Sequence, residues 1–160
     1  MKKLILIALL GVFCAGLCQA QTAPYKASYS SKFVIADQAH ANKVLALWKD
    51  YENNTLDKHL AWFADTVSMT MADGKTLKGK AENLKAVKEH RKGISKLKVT
   101  VDAWVSLKST DHNENVVCIW GTEEFVMNGK NVKQSVQEVW GFNKDGKISM
   151  MLQYVMAGGM

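Results

Sequence analysis

The chain contains few of the residues that interrupt secondary structure or cross-link a fold. It has one proline, Pro24, and three cysteines among 160 residues, and two of those cysteines, Cys14 and Cys18, lie in the first twenty positions. The third, Cys118, has no disulfide partner in the rest of the chain. Stability must therefore come from the packing of a hydrophobic core, and a chain of this length can bury one in a single domain.

Motifs that mark several kinds of site are also missing. No two histidines or carboxylates have the spacing of metal ligands, no glycine-rich loop is suited to a phosphate, and no serine stands in a nucleophile elbow. The sequence therefore predicts neither a metal site nor a cofactor. Residues 78–98 are rich in lysine and arginine, which is typical of a solvated helix face; binding of this segment to an anionic partner is the alternative.

The first twenty residues, MKKLILIALLGVFCAGLCQA, have the layout of a secretory signal peptide. Two lysines precede an apolar stretch of roughly fifteen residues, which ends in small residues at Ala20. This stretch is short for a membrane span. It predicts cleavage near Ala20, no stable membrane span, and a secreted or periplasmic protein, with a retained N-terminal anchor as the alternative. Export argues against nucleic acid as a partner.

Beyond the predicted signal peptide, the sequence divides into a leader and one domain. Residues 21–36 contain the only proline and many small polar residues, which predicts a flexible leader. A single domain is expected over 37–160, beginning with a helix that Asp37 can cap and that Asn53 and Asn54 end. The apolar stripe of this helix has the spacing i, i+4, i+7 and consists of Val44, Trp48 and Tyr51.

Two further helices and a long run of strands are predicted after it. Thr55 is expected to cap a second, shorter helix, and a third helix is predicted over residues 80–92 with Gly93 as its stop. From Gly93 onwards, apolar and polar residues alternate as in strands. Helices followed by an antiparallel meander predict an α+β domain.

Asn-Gly and Asp-Gly pairs between the last three strand-like runs predict two tight hairpins, which fix the residues that share a face. Two-residue turns would place Met127 opposite Lys130 and Lys144 opposite Lys147. One face of the predicted sheet then gathers Ile119, Glu123, Phe125, Val136, Glu138, Trp140, Phe142, Met151, Gln153 and Val155. The other face gathers Cys118, Trp120, Thr122, Glu124, Ser135, Gln137, Val139, Met150, Leu152 and Tyr154.

Three stretches of the sequence, LDKHLAWFADTVSM at 56–69, GKAENLKAV at 79–87 and EVWGFNKDGKI at 138–148, resemble in order and spacing the NTF2-like, or SnoaL-like, superfamily. The resemblance implies a cone in which N-terminal helices pack in the concave face of a curved, mostly antiparallel sheet, with a pocket at the open end. The superfamily contains ketosteroid isomerases, polyketide cyclases, dehydratases and pockets without a known reaction. The fold alone therefore assigns no activity.

The same resemblance suggests which face of the sheet is concave. It places Glu138 where ketosteroid isomerases carry a protonated acid that donates to a developing oxyanion, so that Glu138 and Glu123 would point into the cone. The general-base position of those enzymes corresponds to Met71, and their hydroxyl donor on the first helix corresponds to Leu47. Asp73 would reach the base position only with a shift in alignment. Steroid-type proton abstraction is therefore not supported.

The candidates for acid–base chemistry are Glu138, Glu123 and His59. Two carboxyl groups among aromatic and methionine side chains can have raised pKa values, so that one stays protonated and donates. The structural alternative is that the two carboxyl groups only form hydrogen bonds or ion pairs with Gln134, Gln153 or a lysine and have no chemical role. His59 lies on the apolar face of the predicted second helix, as a pocket residue or as a hydrogen-bonded core residue. The other histidines, expected to be exposed, are His40, His90 and His112.

The leading functional interpretation is an exported protein whose pocket binds a small, mostly apolar molecule, since flexible methionine and rigid tryptophan side chains suit such a ligand. The alternative is an isomerase, cyclase or dehydratase that uses Glu138 with Glu123 or His59 as acid and base. An interaction domain whose cone is filled by its own side chains is the third interpretation. The residues expected to contact a ligand are Leu47, Tyr51, Met71, Phe125, Trp140, Met151 and Gln153.

The opposite face of the sheet predicts a homodimer. It carries several large apolar side chains that no helix remains to cover, and such a patch exceeds what a soluble monomer normally exposes. The residues expected at a two-fold interface are Trp120, Val139, Met150, Leu152 and Tyr154. Trp104 is expected to join them, because it alternates with a row of strand residues, Val99 to Leu107, that is predicted to face the core.

Overall fold

Two helices lie against a seven-stranded curved sheet in the computed structural model, which describes residues 24–158. The predicted signal peptide and its cleavage site lie outside the described residues. The helices are α1 (Gln38–Asn53) and α2 (Lys80–Lys92). The strands are β1 (Phe33–Ile35), β2 (Phe63–Thr70), β3 (Thr76–Lys78), β4 (Ile94–Ser109), β5 (Glu114–Met127), β6 (Lys130–Phe142) and β7 (Ile148–Ala157).

The strand order across the sheet is β1-β4-β5-β6-β7-β2-β3. All neighbouring strands are antiparallel except β2 and β7, which run parallel. Side chains of α1 pack against β5 and β6, and the core cluster between them includes Val44, Trp48, Ile119 and Trp140. The predicted α+β class, with helices in the concave face of a mostly antiparallel sheet, is confirmed.

Helix α1 begins and ends where the sequence indicates. The Asp37 side chain accepts a hydrogen bond from the Ala39 backbone N–H at 2.8 Å, so it satisfies one of the free donors at the helix N-terminus. At the other end Asn54 adopts the left-handed conformation, with a φ of 57°, which asparagine tolerates better than most residues. The helix buries Val44 and Trp48 against the sheet.

The predicted second helix does not form. Residues 55–59 make turns, one 3-10 turn follows at Leu60–Trp62, and Phe63 already belongs to β2. Thr55 does not cap a new helix, because its Oγ1 donates to Asp50 Oδ1 at 2.9 Å and its N–H to the Asp50 carbonyl at 2.8 Å. So short a helix is marginally stable by itself. The end of the predicted segment, from Phe63, is instead paired in the sheet as part of β2.

Helix α2 matches the predicted range and is fixed to the sheet by one buried amide. Asn83 is 2% exposed. Its Nδ2 donates to the carbonyls of Gly79 at 2.8 Å, Leu77 at 3.2 Å and Val67 at 3.3 Å. The side chain thus ties the helix to both strands of the β2–β3 pair, and it holds the α2 wall of the interior in place.

The first hairpin has the predicted register, and the second reaches it by another route. Met127 lies opposite Lys130, and Glu138 lies opposite Gln153. Lys144 does not lie opposite Lys147, however. The Asn143 side chain accepts from the backbone N–H groups two and four residues on, which widens the turn, and a bulge next to Gly141 then restores the pairing.

A second bulge corrects the predicted face of β4. The pairing with β5 shifts between Val101 and Ala103, and a shift of one residue exchanges the two faces of a strand. The end of the predicted core row, from Ala103 to Leu107, therefore lies on the convex side. Trp104 lies on the helix side, where its Nε1 donates to Gln38 Oε1 at 3.2 Å, so its predicted place in the convex patch is wrong.

The end of the predicted leader is part of the sheet. Residues 33–35 form β1, an edge strand paired with β4, so the sheet begins before the expected domain start at 37. Further back, the ring of Tyr29 stacks on His112 at 4.4 Å between centroids. The strand-like alternation predicted after Gly93 agrees with the structure, and a turn at 72–74 leads from β2 into β3.

Candidate functional site

A cavity of about 490 Å³ lies between the two helices and the concave face of the sheet. Apolar side chains from both helices and from β2, β6 and β7 make most of its wall. These include Leu47, Leu84, Val87, Met69, Met71, Trp140, Met151 and Val155. Polar groups from five elements interrupt this wall, namely Asp50, Tyr51, Lys80, Asn83, His90, Glu123, Gln134, Glu138 and Gln153, and the turn before β3 adds Asp73 and Lys75. The interior is thus a mostly apolar pocket with a few placed polar groups, which is the usual composition of a small-molecule site.

Glu138 accepts three side-chain hydrogen bonds within this wall. Its Oε2 accepts hydrogen bonds from the indole Nε1 of Trp48 at 2.6 Å and of Trp140 at 2.9 Å, and its Oε1 accepts from Gln153 Nε2 at 3.0 Å. The residue is 7% exposed. Trp48 belongs to α1, Gln153 to β7 and Glu138 itself to β6, so the carboxyl group joins three elements. Its remaining side faces the cavity.

Burial raises the pKa of the Glu138 carboxyl above its ordinary value, and the nearby carboxylate of Glu123 raises it further. The hydrogen bonds from Gln153, Trp48 and Trp140 act in the opposite direction, because they stabilise the ionised form. These donors cannot accept a proton in return. Glu138 is therefore held in one orientation, ready to accept a hydrogen bond or a proton from a group in the cavity.

A second polar cluster lies further along the cavity. Glu123 is half-buried, and its Oε2 accepts from Gln134 Nε2 at 2.8 Å. Burial raises the pKa of Glu123, while the charges of His90 and Arg91 lower it. Across the cavity Tyr51 Oη lies 2.9 Å from His90 Nδ1, and burial together with Glu123 raises the pKa of the Tyr51 phenol. The exposed His90 places this cluster at the cavity mouth.

Arg91 follows His90 in the chain, but it is not part of the cavity wall. Its guanidinium donates to the backbone carbonyls of Tyr51 at 2.8 Å, Glu52 at 3.0 Å and Ile94 at 2.7 Å. All three acceptors lie at the ends of elements, so Arg91 fixes the C-terminus of α1 against the start of β4.

His59 is not part of the cavity wall. Its Nδ1 lies 2.5 Å from Asp50 Oδ2, and its ring stacks on Trp62 at 3.9 Å between centroids. The structure therefore favours the hydrogen-bonded interpretation of this histidine. Asp50, which does line the cavity and is 5% exposed, connects His59 to it.

Most of the expected ligand-contacting residues do line the cavity. Those in its wall are Leu47, Tyr51, Met71, Trp140, Met151 and Gln153. Phe125 is buried but lies outside the wall, since it sits near the far end of β5. Asp73 lies at the rim, where its carboxylate accepts from the backbone N–H of Lys75.

Sequence reasoning missed four polar or aromatic members of the wall. Trp48 was assigned to the core by its helical spacing, and nothing in that spacing indicates that its indole N–H meets Glu138. Asp50, Asn83 and His90 carry no spacing signal at all. His40, expected to be exposed, is half-buried with its ring edge-on to Phe142. Each of these positions is set by contacts between elements distant in sequence.

The described residues hold neither a cluster of metal ligands nor a helix that could span a membrane. Residues 24–158 contain no group of three or more histidine, cysteine, aspartate or glutamate side chains placed to bind a metal ion. In the same range, none of the helices has the length and apolar composition needed to cross a membrane.

The comparisons with known proteins give structural matches only. No family model matches the sequence, and no curated protein matches it. An LEH-like epoxide hydrolase of M. tuberculosis has a TM-score of 0.60 and 14% identity over 73% of this chain and 82% of that one. SalBIII, an epoxide hydrolase/cyclase-like enzyme with a role in pyran ring formation in the polyether salinomycin, has a TM-score of 0.61. It is 13% identical over 74% of this chain and 92% of that one. An NTF2-like protein of unknown function from Cytophaga hutchinsonii has a TM-score of 0.53 and is 18% identical over 72% of this chain and 97% of that one.

Proposed function

The chain has the NTF2-like fold that its sequence resembles, and we propose that it is an exported pocket protein that binds a small, mostly apolar molecule. The observation that carries this proposal is a cavity of about 490 Å³ with mostly apolar walls and an ordered carboxyl group, Glu138, at its inner side. Pockets of roughly 300–1,000 Å³ accommodate drug-sized molecules. The third interpretation, a cone filled by its own side chains, is inconsistent with this volume.

The apolar walls supply affinity and the carboxyl group supplies orientation. Methionines 69, 71 and 151 line the cavity together with Trp140, and unbranched methionine side chains adapt to ligands of irregular shape. Glu138 cannot turn away from the cavity without breaking hydrogen bonds to Trp48 and Gln153. A ligand is therefore expected to enter with its apolar body against the methionines and one polar group toward Glu138.

A cavity-filling substitution tests this proposal. Val155 lines the cavity, and Val105 is equally half-buried on the convex face of β4. We expect Val155→Phe to weaken the binding of the apolar dye Nile red, while Val105→Phe leaves it unchanged, as measured by the fluorescence of the dye. Equal binding by both variants would show that the dye occupies another surface. Mass spectrometry of molecules that co-purify from the native host would then identify the natural ligand.

An enzyme of isomerase, cyclase or dehydratase type is the second candidate. The observation that favours it is a buried carboxyl group of raised pKa that faces a cavity, because such groups serve as general acids and bases. Two of the structural relatives are an epoxide hydrolase and a cyclase-like enzyme. In this alternative Glu138 acts with Glu123, which shares the cavity, whereas His59 reaches it only through Asp50. Turnover of a co-purified ligand that stops in Glu138→Gln would select this alternative.

A further inference from the structure

The cavity has spare capacity to accept hydrogen bonds. Oε1 of Glu138 accepts one hydrogen bond, from Gln153, although a carboxylate oxygen can accept two. On Glu123, the bond from Gln134 goes to Oε2 and leaves Oε1 without a donor among the described residues. Oδ1 of Asn83, in the α2 wall, is buried and has no donor within the described chain. Three separate groups of the wall therefore offer acceptors.

The indole and side-chain amide donors in the same wall are already engaged, whereas the lysine donor of Lys75 in that wall is exposed to solvent. The indole N–H groups of Trp48 and Trp140 both donate to Glu138. The amide nitrogen of Gln134 donates to Glu123, and that of Asn83 to three backbone carbonyls. A buried acceptor without a donor costs free energy. A ligand that donates hydrogen bonds would satisfy these acceptors, and one that only accepts would not.

The charges in the cavity point the same way. Within the described residues no lysine or arginine forms an ion pair with Glu138 or Glu123. Two lysines line the cavity; Lys75 is exposed to solvent, and Lys80 is paired elsewhere. Lys80 Nζ lies 2.5 Å from Asp65 Oδ1, and Arg91 is bound to backbone carbonyls. His90, at the mouth, is the remaining charge that acts on Glu123. A positive charge on the ligand would compensate the desolvated carboxylate of Glu138.

We propose that the ligand of this cavity is an apolar organic cation, a protonated amine on an apolar body, whose ammonium group donates to Oε1 of Glu138. This inference rests on the proposed pocket function and specifies its ligand class. An ammonium group has three donors and a charge, whereas an alcohol has one donor and none. Tryptophan and tyrosine rings in the same wall also favour a cation. Where Glu138 is protonated in the empty cavity, binding of the ammonium ion releases that proton to solvent.

Three probes of nearly equal size separate the possibilities: phenethylamine, phenethyl alcohol and phenylacetate. Binding is followed by NMR titration, in which the indole N–H signals of Trp48 and Trp140 report directly on Glu138 because both donate to it. We expect phenethylamine to bind most tightly and phenylacetate most weakly. Glu138→Gln should weaken the binding of phenethylamine by roughly ten- to hundredfold, as expected for the loss of a hydrogen bond to a charged group. It should weaken the binding of phenethyl alcohol by less than about threefold.

Glu124→Gln is the matched control, because Glu124 is the next residue on β5 but is exposed and pairs with Lys133 on the other face. It should bind all three probes as the unmodified protein does. Equal affinity for amine and alcohol, or preference for phenylacetate, would overturn the cation inference and leave the pocket function standing. Absence of binding by all three, together with failure to bind Nile red, would overturn both. At a pH where Glu138 is protonated in the empty cavity, calorimetry in two buffers of different ionisation enthalpy should detect proton release with phenethylamine alone.

Discussion

Trp48 of α1 and Glu138 of β6, which are 90 residues apart in the chain, are joined by a hydrogen bond of 2.6 Å between Nε1 and Oε2. The bond fixes the first helix over the concave face and the carboxyl group beside the cavity. Glu138 therefore has a structural role and faces the proposed ligand site at the same time.

The first prediction concerns pH. Burial raises the pKa of Glu138 in the folded protein above the ordinary 4.5, so the folded state keeps this proton to higher pH than the unfolded state does. The free energy of unfolding should therefore fall as pH rises from 4.5 through the folded pKa, by about 1.4 kcal/mol for each unit of pKa shift. Glu138→Gln should remove this fall and be relatively more stable above that range.

Urea unfolding at a series of pH values measures the difference between the two proteins. Glutamine can keep the geometry, because its oxygen can accept from both indoles and Gln153 can turn its amide to match. Glu124→Gln, on the exposed face, should retain the fall. An identical pH dependence for the unmodified protein and Glu138→Gln would contradict a raised pKa at this residue.

The second prediction tests the packing of Trp48. A Cβ on Gly121 would lie 2.6 Å from Cζ3 of Trp48 and 2.4 Å from the backbone oxygen of Thr100. Gly121→Ala should lower the free energy of unfolding by about 1–3 kcal/mol, as overpacking does, and shift the Trp48 indole signal. In Gly93→Ala the nearest atom is 3.5 Å away and φ is −76°, so the change should stay within about 1 kcal/mol.

The third prediction concerns the convex face, through which we propose a homodimer. Trp120 and Tyr154 are 37% and 55% exposed, and Leu152 lies on the same face in the neighbouring row, opposite Val139. A stable dimer needs roughly 800 Å² per subunit. Leu152→Lys should give a monomer, since two ammonium groups would be buried unpaired near the axis. Ala72→Lys, at the cavity rim, should stay dimeric by light scattering at micromolar concentration. A monomer mass for the unmodified protein would refute the interface.

The fourth prediction is export. Mass spectrometry of the protein from its native host should find an N-terminus at or near Gln21. Ala20→Arg should block this cleavage, because signal peptidase sites require small residues. An intact N-terminus on the unmodified protein in that host would support a retained anchor instead.

The sequence by itself determines the last three strands, β5, β6 and β7, and their pairing. Two-residue periodicity and Gly-containing turns are local features of the sequence. They were sufficient to place Glu138 opposite Gln153 and on the same face of the sheet as Glu123. Helix α1 was predictable for the same reason, because its stripe and both caps lie within eighteen residues of chain. The second turn has a different geometry, yet its register holds because a bulge compensates for the extra residue.

The tertiary structure alone decides what happens at bulges and between distant elements. Trp104 faces α1 because the bulge in β4 exchanges the faces of the strand, and no local pattern in the sequence announces that shift. Thr55 donates a hydrogen bond to Asp50 and does not cap a new helix. The two arrangements differ little in free energy, so the packing of the whole domain selects between them. The donors around Glu138 come from α1, β6 and β7, so the site exists only once long-range packing has brought these elements together.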